Sequence, residues 1–97
     1  MLRPIARIYA PLADHLAARG AAGEWRVTLT FAAIEALLSR PLPTTARESR
    51  RHRQWWHGNV NSPHAWYGWQ CVGCRVEAVD LAAEAVTFDR PAGTPPA

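Results

Sequence analysis

The chain has 97 residues, 48% of them hydrophobic and 20% charged, with a formal charge of +3 at pH 7. That length fits a single domain with one modest core and leaves little room for a deep catalytic cavity as well. A transmembrane span is excluded, because no apolar run approaches the roughly 20 residues a bilayer needs. A disulfide framework is excluded too, because the only cysteines are Cys71 and Cys74. Met1 to Ala10 carries Arg3, Pro4 and Arg7 with no apolar block after them, so the expectation is a cytoplasmic protein without a membrane contact.

Ala10 to Arg19 reads as a helix, with Pro11 suited to the first helical position, Leu12 and Leu16 on one face, and Gly20 as a stop. Ile5, Ile8 and Tyr9 extend the same apolar surface. Trp25 to Thr30 alternates, with Trp25, Val27 and Leu29 on the expected buried side of a short strand. Thr30 is the natural N-cap of a second helix whose stripe is Phe31, Ile34, Leu37 and Leu38, and Pro41 ends it by steering Arg40 out of helical geometry.

Thr45 and Glu48 have capping-box spacing, which predicts a helix from Ala46 closed by Gly58. Ser62 and Pro63 start another, His64 to Val72, which Gly73 stops. Arg75 to Leu81 and Ala85 to Asp89 are strand-like, and a tight turn at 82–84 makes them a hairpin. Residues 1–90 therefore form one α+β domain: helix, short strand, two to three helices and a C-terminal β-hairpin, the element order of a winged helix. Residues 91–97, rich in proline, are expected to be a frayed tail.

All the surplus positive charge lies between Arg40 and His57, where Arg40, Arg47, Arg50, Arg51 and Arg53 meet one acid, Glu48, while the other six arginines meet seven acids. On a continuous helix at 100° per residue, Arg47, Arg50, Arg51 and Gln54 share an arc of about 100°. Trp55 and Trp56 lie on another arc. One side would pack through tryptophan while the other offers guanidinium forks to phosphate or guanine, and Gln54 to adenine. Arg53 and Arg40 suit phosphate. The bland alternative is a solvated helix face.

Five tryptophans suit a small core, and Trp25, Trp66 and Trp69 are assigned there. Adjacent residues on a helix diverge by 100°, so Trp55 and Trp56 cannot both reach the centre of the core, and one is left to stack on a base or cover a partner. Cys71-Val-Gly-Cys74 has metal-like spacing, but only His52, His57 and His64 stand by to complete a zinc site, and packed thiols are the simpler reading. His57, Asn59, Asn61 and His64 form a polar loop that matches no catalytic motif. No phosphate-binding loop, dinucleotide fingerprint, nucleophile elbow or zinc-protease signature occurs, so neither catalysis nor a cofactor is expected.

Several strings resemble a family of small bacterial domains of unknown function. They are Leu29-Thr30-Phe31 with Ile34-Glu35, Leu42-Pro43, Ala46-Arg47, Arg53 with Trp55-Trp56 and Asn59, Ser62 with His64, Trp66 or Trp69, Val79-Asp80-Leu81, and Val86-Thr87-Phe88. The resemblance spans roughly residues 9 to 90, and Trp55-Trp56-x-x-Asn59 is its most specific part. It implies a recurrent unit found alone or beside other domains, some nuclease-like, and carries over no catalytic residue. The chain departs from the family pattern at Cys71 to Cys74, which argues against a required metal there.

The expectation is a small non-catalytic nucleic-acid-binding domain for double-stranded DNA, with RNA left open. Arg40, Arg47, Arg50, Arg51, Arg53 and Gln54 would make the contact, and Trp55, Trp56, Asn59 and His64 are candidates for stacking or an interface. The alternatives are a protein-interaction module, antitoxin-like or an accessory of a defence system, that binds an acidic partner, and a zinc-binding domain. A homodimer contact is also left open.

Overall fold

The structure, a computed structural model, describes residues 4–57 and 62–90. The expected stop at Gly58, the candidate Asn59 and the tail at 91–97 lie outside the described residues.

Helix α1 runs Pro4–Ala21, longer than the sequence predicts, and Pro11 sits inside it. Ala6, Tyr9, Leu12, Ala13 and Leu16 form one buried stripe, and full burial of a leucine is worth about 1.5–3 kcal/mol. A continuous stripe of this size offsets the roughly 3 kcal/mol an internal proline costs. Strand β1, Arg26–Thr30, alternates as expected, with Val27 and Leu29 buried. Thr30 caps helix α2, Phe31–Leu38, its hydroxyl accepting the Ala33 N–H at 3.0 Å. Ser39 closes α2 in the left-handed region, at φ 57.

The predicted helix from Ala46 to His57 does not form as one element. A 3-10 turn covers Thr44–Arg47, Glu48 is extended at φ −80 and ψ 135, and helix α3 is confined to His52–His57. The reason is tertiary. Trp56 donates its indole N–H to the Ala46 carbonyl at 2.9 Å, and both residues are fully buried. On a continuous helix residues ten apart stand about 15 Å apart along the axis, so this bond requires the chain to fold back between them. The capping-box partnership of Thr45 with Glu48 is absent; instead the Glu48 carbonyl accepts the Arg51 and His52 N–H groups at 3.3 and 2.8 Å.

The helix expected over His64 to Val72 is also split. Helix α4 covers Pro63–Gly68, Trp69 breaks it at φ −150, and a short 3-10 turn, Gln70–Val72, ends at Gly73 with φ 81. Helix α4 packs along α1, and a Cβ at Gly68 would meet Leu12 and Tyr9 at 3.7 Å, an ordinary van der Waals contact. Strands β2, Arg75–Asp80, and β3, Ala85–Asp89, form the predicted hairpin, and β1 adds on the far side of β3 to give the antiparallel order β1-β3-β2. Val27 and Val76 both oppose Phe88, Leu29 opposes Val86, and the β2 register shifts at Glu77.

The fold is α+β in a winged-helix-like arrangement. The inner sheet face, Val27, Leu29, Val76, Val86 and Phe88, closes on Leu12, Leu16, Phe31, Ile34, Trp56 and Trp69. The outer face is polar, with Thr28 and Thr87 hydroxyls 2.9 Å apart and the pairs Arg26–Glu77 and Arg75–Asp89 at 2.7 and 2.8 Å. Of the tryptophans assigned to the core only Trp69 is there. Trp25 and Trp66 are 52% and 51% exposed. Trp25 stands one residue before β1 and Trp66 lies on α4, and the core covers neither side chain. Among the described residues, no helix is long and apolar enough to cross a membrane.

Candidate nucleic-acid interface

Breaking the basic helix redistributes its arginines. Arg47, placed by sequence on the same face as Arg50 and Arg51, sits on the 3-10 turn and points back into the domain. Its guanidinium binds Glu35 at 2.9 Å and Glu84 at 2.5 Å, and stands 5.0 Å from the Phe31 ring centre. The Leu42 N–H donates to the same Glu35 oxygen at 2.7 Å. That amide bond, and then Arg47, hold the Glu35 carboxyl below its ordinary range, while Glu35 raises Arg47. Arg47 thus joins α2 to the turn between β2 and β3. The four residues expected to share one helical ridge, at 47, 50, 51 and 54, do not lie on one helix, and Arg47 is held by acids of the domain itself.

Arg50 and Arg51 lie on the turn before α3, Arg53 and Gln54 on α3 itself, and all four are exposed. Arg51 stands 3.5 Å from Glu48 with 69% of its side chain exposed; so exposed a pair holds its arginine weakly. Among the described residues no ion pair reaches Arg50, Arg53 or Arg40. Arg40 is displaced from this group. It follows α2 and shares a shallow cleft of about 370 Å³ with Pro4, Arg7, Ile8, Leu38 and Ser39.

Beside the basic turn, Thr45, Arg51, Gln54, Trp55, Ser62 and His64 line a cleft of about 380 Å³ between α3 and the start of α4. Four of these six, Arg51, Gln54, Trp55 and His64, were singled out from sequence, though on separate grounds. Thr45 and Ser62 were read only as helix caps, and nothing in a one-dimensional pattern marks them as cleft walls. Trp55 and His64 stack at 4.2 Å with an interplanar angle of 15°, and His64 Nε2 donates to the Trp55 carbonyl at 2.7 Å. Burial lowers the His64 pKa, outweighing the opposing effect of that bond. Trp56, a sequence candidate for stacking or an interface, is corrected to a core residue with no exposed surface. It packs on Phe31 at 5.8 Å and meets Trp55 edge to face at 4.7 Å.

Cys71 is exposed and Cys74 half-buried, and burial is the main cause that raises both thiol pKa values above the ordinary range. Among the described residues, no three His, Cys, Asp or Glu side chains are grouped to hold a metal ion. The sequence could not have revealed the acids that claim Arg47: Glu84 lies 37 residues away and meets it only through the hairpin.

A comparison with known proteins agrees with the resemblance seen in sequence. The model of the family described as Domain of unknown function (DUF7662) matches residues 9–92, and the chain belongs to that family. No curated protein matches the chain, and neither does any solved structure.

Proposed function

We propose that this member of the DUF7662 family is a non-catalytic nucleic-acid-binding domain that meets double-stranded DNA through the turn at 49–51 and the exposed side of α3. The observation that carries the reading is the pair Arg50 and Arg53, exposed and without an acidic partner among the described residues, flanking a loosely held Arg51. Nucleic-acid affinity is dominated by phosphate neutralisation, and a guanidinium not engaged by its own protein is available for it. Arg40 supplies a further cation at a distance. Arg47 does not take part, since reaching a phosphate would mean leaving Glu35 and Glu84.

The length of α3 limits how it is used. Six residues span about 9 Å, so α3 approaches a groove by its end and its preceding turn, not by lying along it. In a helix-turn-helix pair the second helix reads the groove, but here the second, α4, carries no arginine and the first carries the charge. Gln54, beside Arg51, is the side chain suited to a base edge.

A duplex titration tests the reading. Arg50→Ala combined with Arg53→Ala is expected to weaken binding by at least tenfold and to reduce the slope of log affinity against log salt by about 2. Binding unaffected by salt between about 50 and 200 mM, or by the double substitution, would overturn it.

The half-exposed Trp25 and Trp66 favour a second reading, a protein-interaction module with an acidic partner. Tryptophan is enriched at binding hot spots, and Trp25 immediately precedes β1, which is at the opposite edge of the sheet from β2. A partner retained after nuclease treatment and lost on Trp25→Ala or Trp66→Ala would support it.

A further inference from the structure

We infer that the cleft lined by Thr45, Arg51, Gln54, Trp55, Ser62 and His64 receives a single unstacked nucleobase of the bound strand, so that the preferred ligand is a duplex carrying an unpaired nucleotide. This rests on the nucleic-acid reading above and names the ligand class at the same surface.

The cleft measures about 380 Å³, at the lower end of pockets that hold small molecules, roughly 300–1,000 Å³. Its lining includes Trp55 and His64, which stack on each other. A flat aromatic wall accepts a planar ring of any base, because every base has a π-face. The Thr45 hydroxyl and the Gln54 amide supply hydrogen-bonding groups in the lining, and Arg51 is the cation for the phosphate of an inserted nucleotide. Among the described residues no carboxylate lines the cleft, which disfavours a cationic ligand or a metal ion. His64 has its Nε2–H committed to the Trp55 carbonyl, so it acts as a wall and not as a proton donor to the ligand.

Two other clefts are less suited. The one bounded by Arg7 and Arg40 has two cations but no aromatic wall. The one bounded by His52, Arg53, His57 and Glu77 contains a carboxylate already paired with Arg26 at 2.7 Å. Neither juxtaposes an aromatic surface with a phosphate-binding group and neutral hydrogen-bonding side chains.

A base held in a duplex stack cannot enter such a cleft. It must be out of the stack, and the cost of removing it is least when it is unpaired or mismatched. The cleft therefore discriminates between paired and unpaired nucleotides without reading sequence, while the neighbouring Arg50 and Arg53 hold the flanking phosphates.

The test compares three duplexes of equal length: fully paired, with a one-nucleotide adenine bulge, and with an abasic bulge at the same site. The abasic bulge bends equally easily but has no base to insert. The adenine bulge is expected to bind about tenfold tighter than the abasic one, a difference in the range of one base stacked on an aromatic side chain. Thr45→Phe, which places a ring in the cleft, is expected to abolish that difference. Equal affinity for the adenine and abasic bulges in the wild-type protein would overturn the inference, whether or not the variant folds. If salt-sensitive binding to all three persisted at equal strength, the nucleic-acid reading would stand without the base cleft. If none bound, both would fall.

Discussion

His64 donates its Nε2–H to the backbone carbonyl of Trp55 and stacks on the indole of the same residue at 4.2 Å, so one imidazole joins α4 to α3 by two separate forces. Burial of the ring favours its neutral form, while the bond to the Trp55 carbonyl works against that preference. The placement of the arginine-bearing helix is therefore tied to a residue that belongs to the next helix.

Burial places the folded-state pKa of His64 below the ordinary value of about 6.5. Between those two values the unfolded chain binds a proton that the folded chain does not. The contribution of His64 to stability is therefore complete above about pH 6.5 and is lost as pH falls toward its folded value. Nuclear magnetic resonance of the imidazole protons is expected to give a His64 midpoint below 6.5; a midpoint above it would contradict the buried, neutral assignment.

Trp56→Phe keeps most of the ring volume but leaves the buried Ala46 carbonyl without its indole donor. An unsatisfied buried group costs about 1–3 kcal/mol, which in a domain this size lowers the melting temperature by roughly 4–8 °C per kcal/mol. Trp66→Ala, at a half-exposed position, is expected to change stability by no more than about 0.5 kcal/mol. Denaturant unfolding of the two variants side by side checks the contrast.

Arg47 and Arg50 stand three residues apart and are expected to behave oppositely. Arg47→Ala removes the partner of Glu35 and Glu84 and the cation over Phe31, so the domain should melt at a lower temperature. Arg50→Ala should leave the melt unchanged and act only on ligand binding. Unchanged melting of the Arg47 variant would show that its ion pairs contribute nothing to the fold.

Glu35 gives a matching acid limb. The Leu42 amide and Arg47 hold its folded-state pKa below the ordinary glutamate value of about 4.3. Its contribution is present above that value and is lost as pH falls through the folded one, because the unfolded chain takes up the proton first. Glu35→Gln is expected to flatten the loss of stability below about pH 4.5 in urea titrations followed by circular dichroism.

Cys71 and Cys74 are both shifted toward the protonated thiol. Since the thiolate is the reactive form, iodoacetamide at pH 7 should alkylate each more slowly than an unstructured cysteine peptide. Cys71, the more exposed, should react before Cys74. Mass spectrometry over a time course distinguishes this from an activated pair.

Short-range patterns carried much of the architecture. The alternation of Val27 and Leu29, the Thr30 cap and the pairing of the last two strands as a hairpin each involve residues close together in sequence, and each was read correctly. The family resemblance was legible for a similar reason, because it rests on strings such as Trp55-Trp56-x-x-Asn59 and Val86-Thr87-Phe88. Periodicity also marked Trp25 as inward on its strand and Trp66 as a helix-face residue, but it says nothing about where the core ends.

The chain by itself determined the order of elements and the concentration of arginine between residues 40 and 57, since composition and local hydrogen-bonding preference act within a few residues. Only the folded domain decided which of those arginines face solvent. Ala46 and Trp56 had to meet across ten residues, and Arg47 and Glu84 across a hairpin closure of 37. Those bonds exist only after the sheet and the helices have packed, and they, not local propensity, end the helix at Glu48 and turn one cation inward.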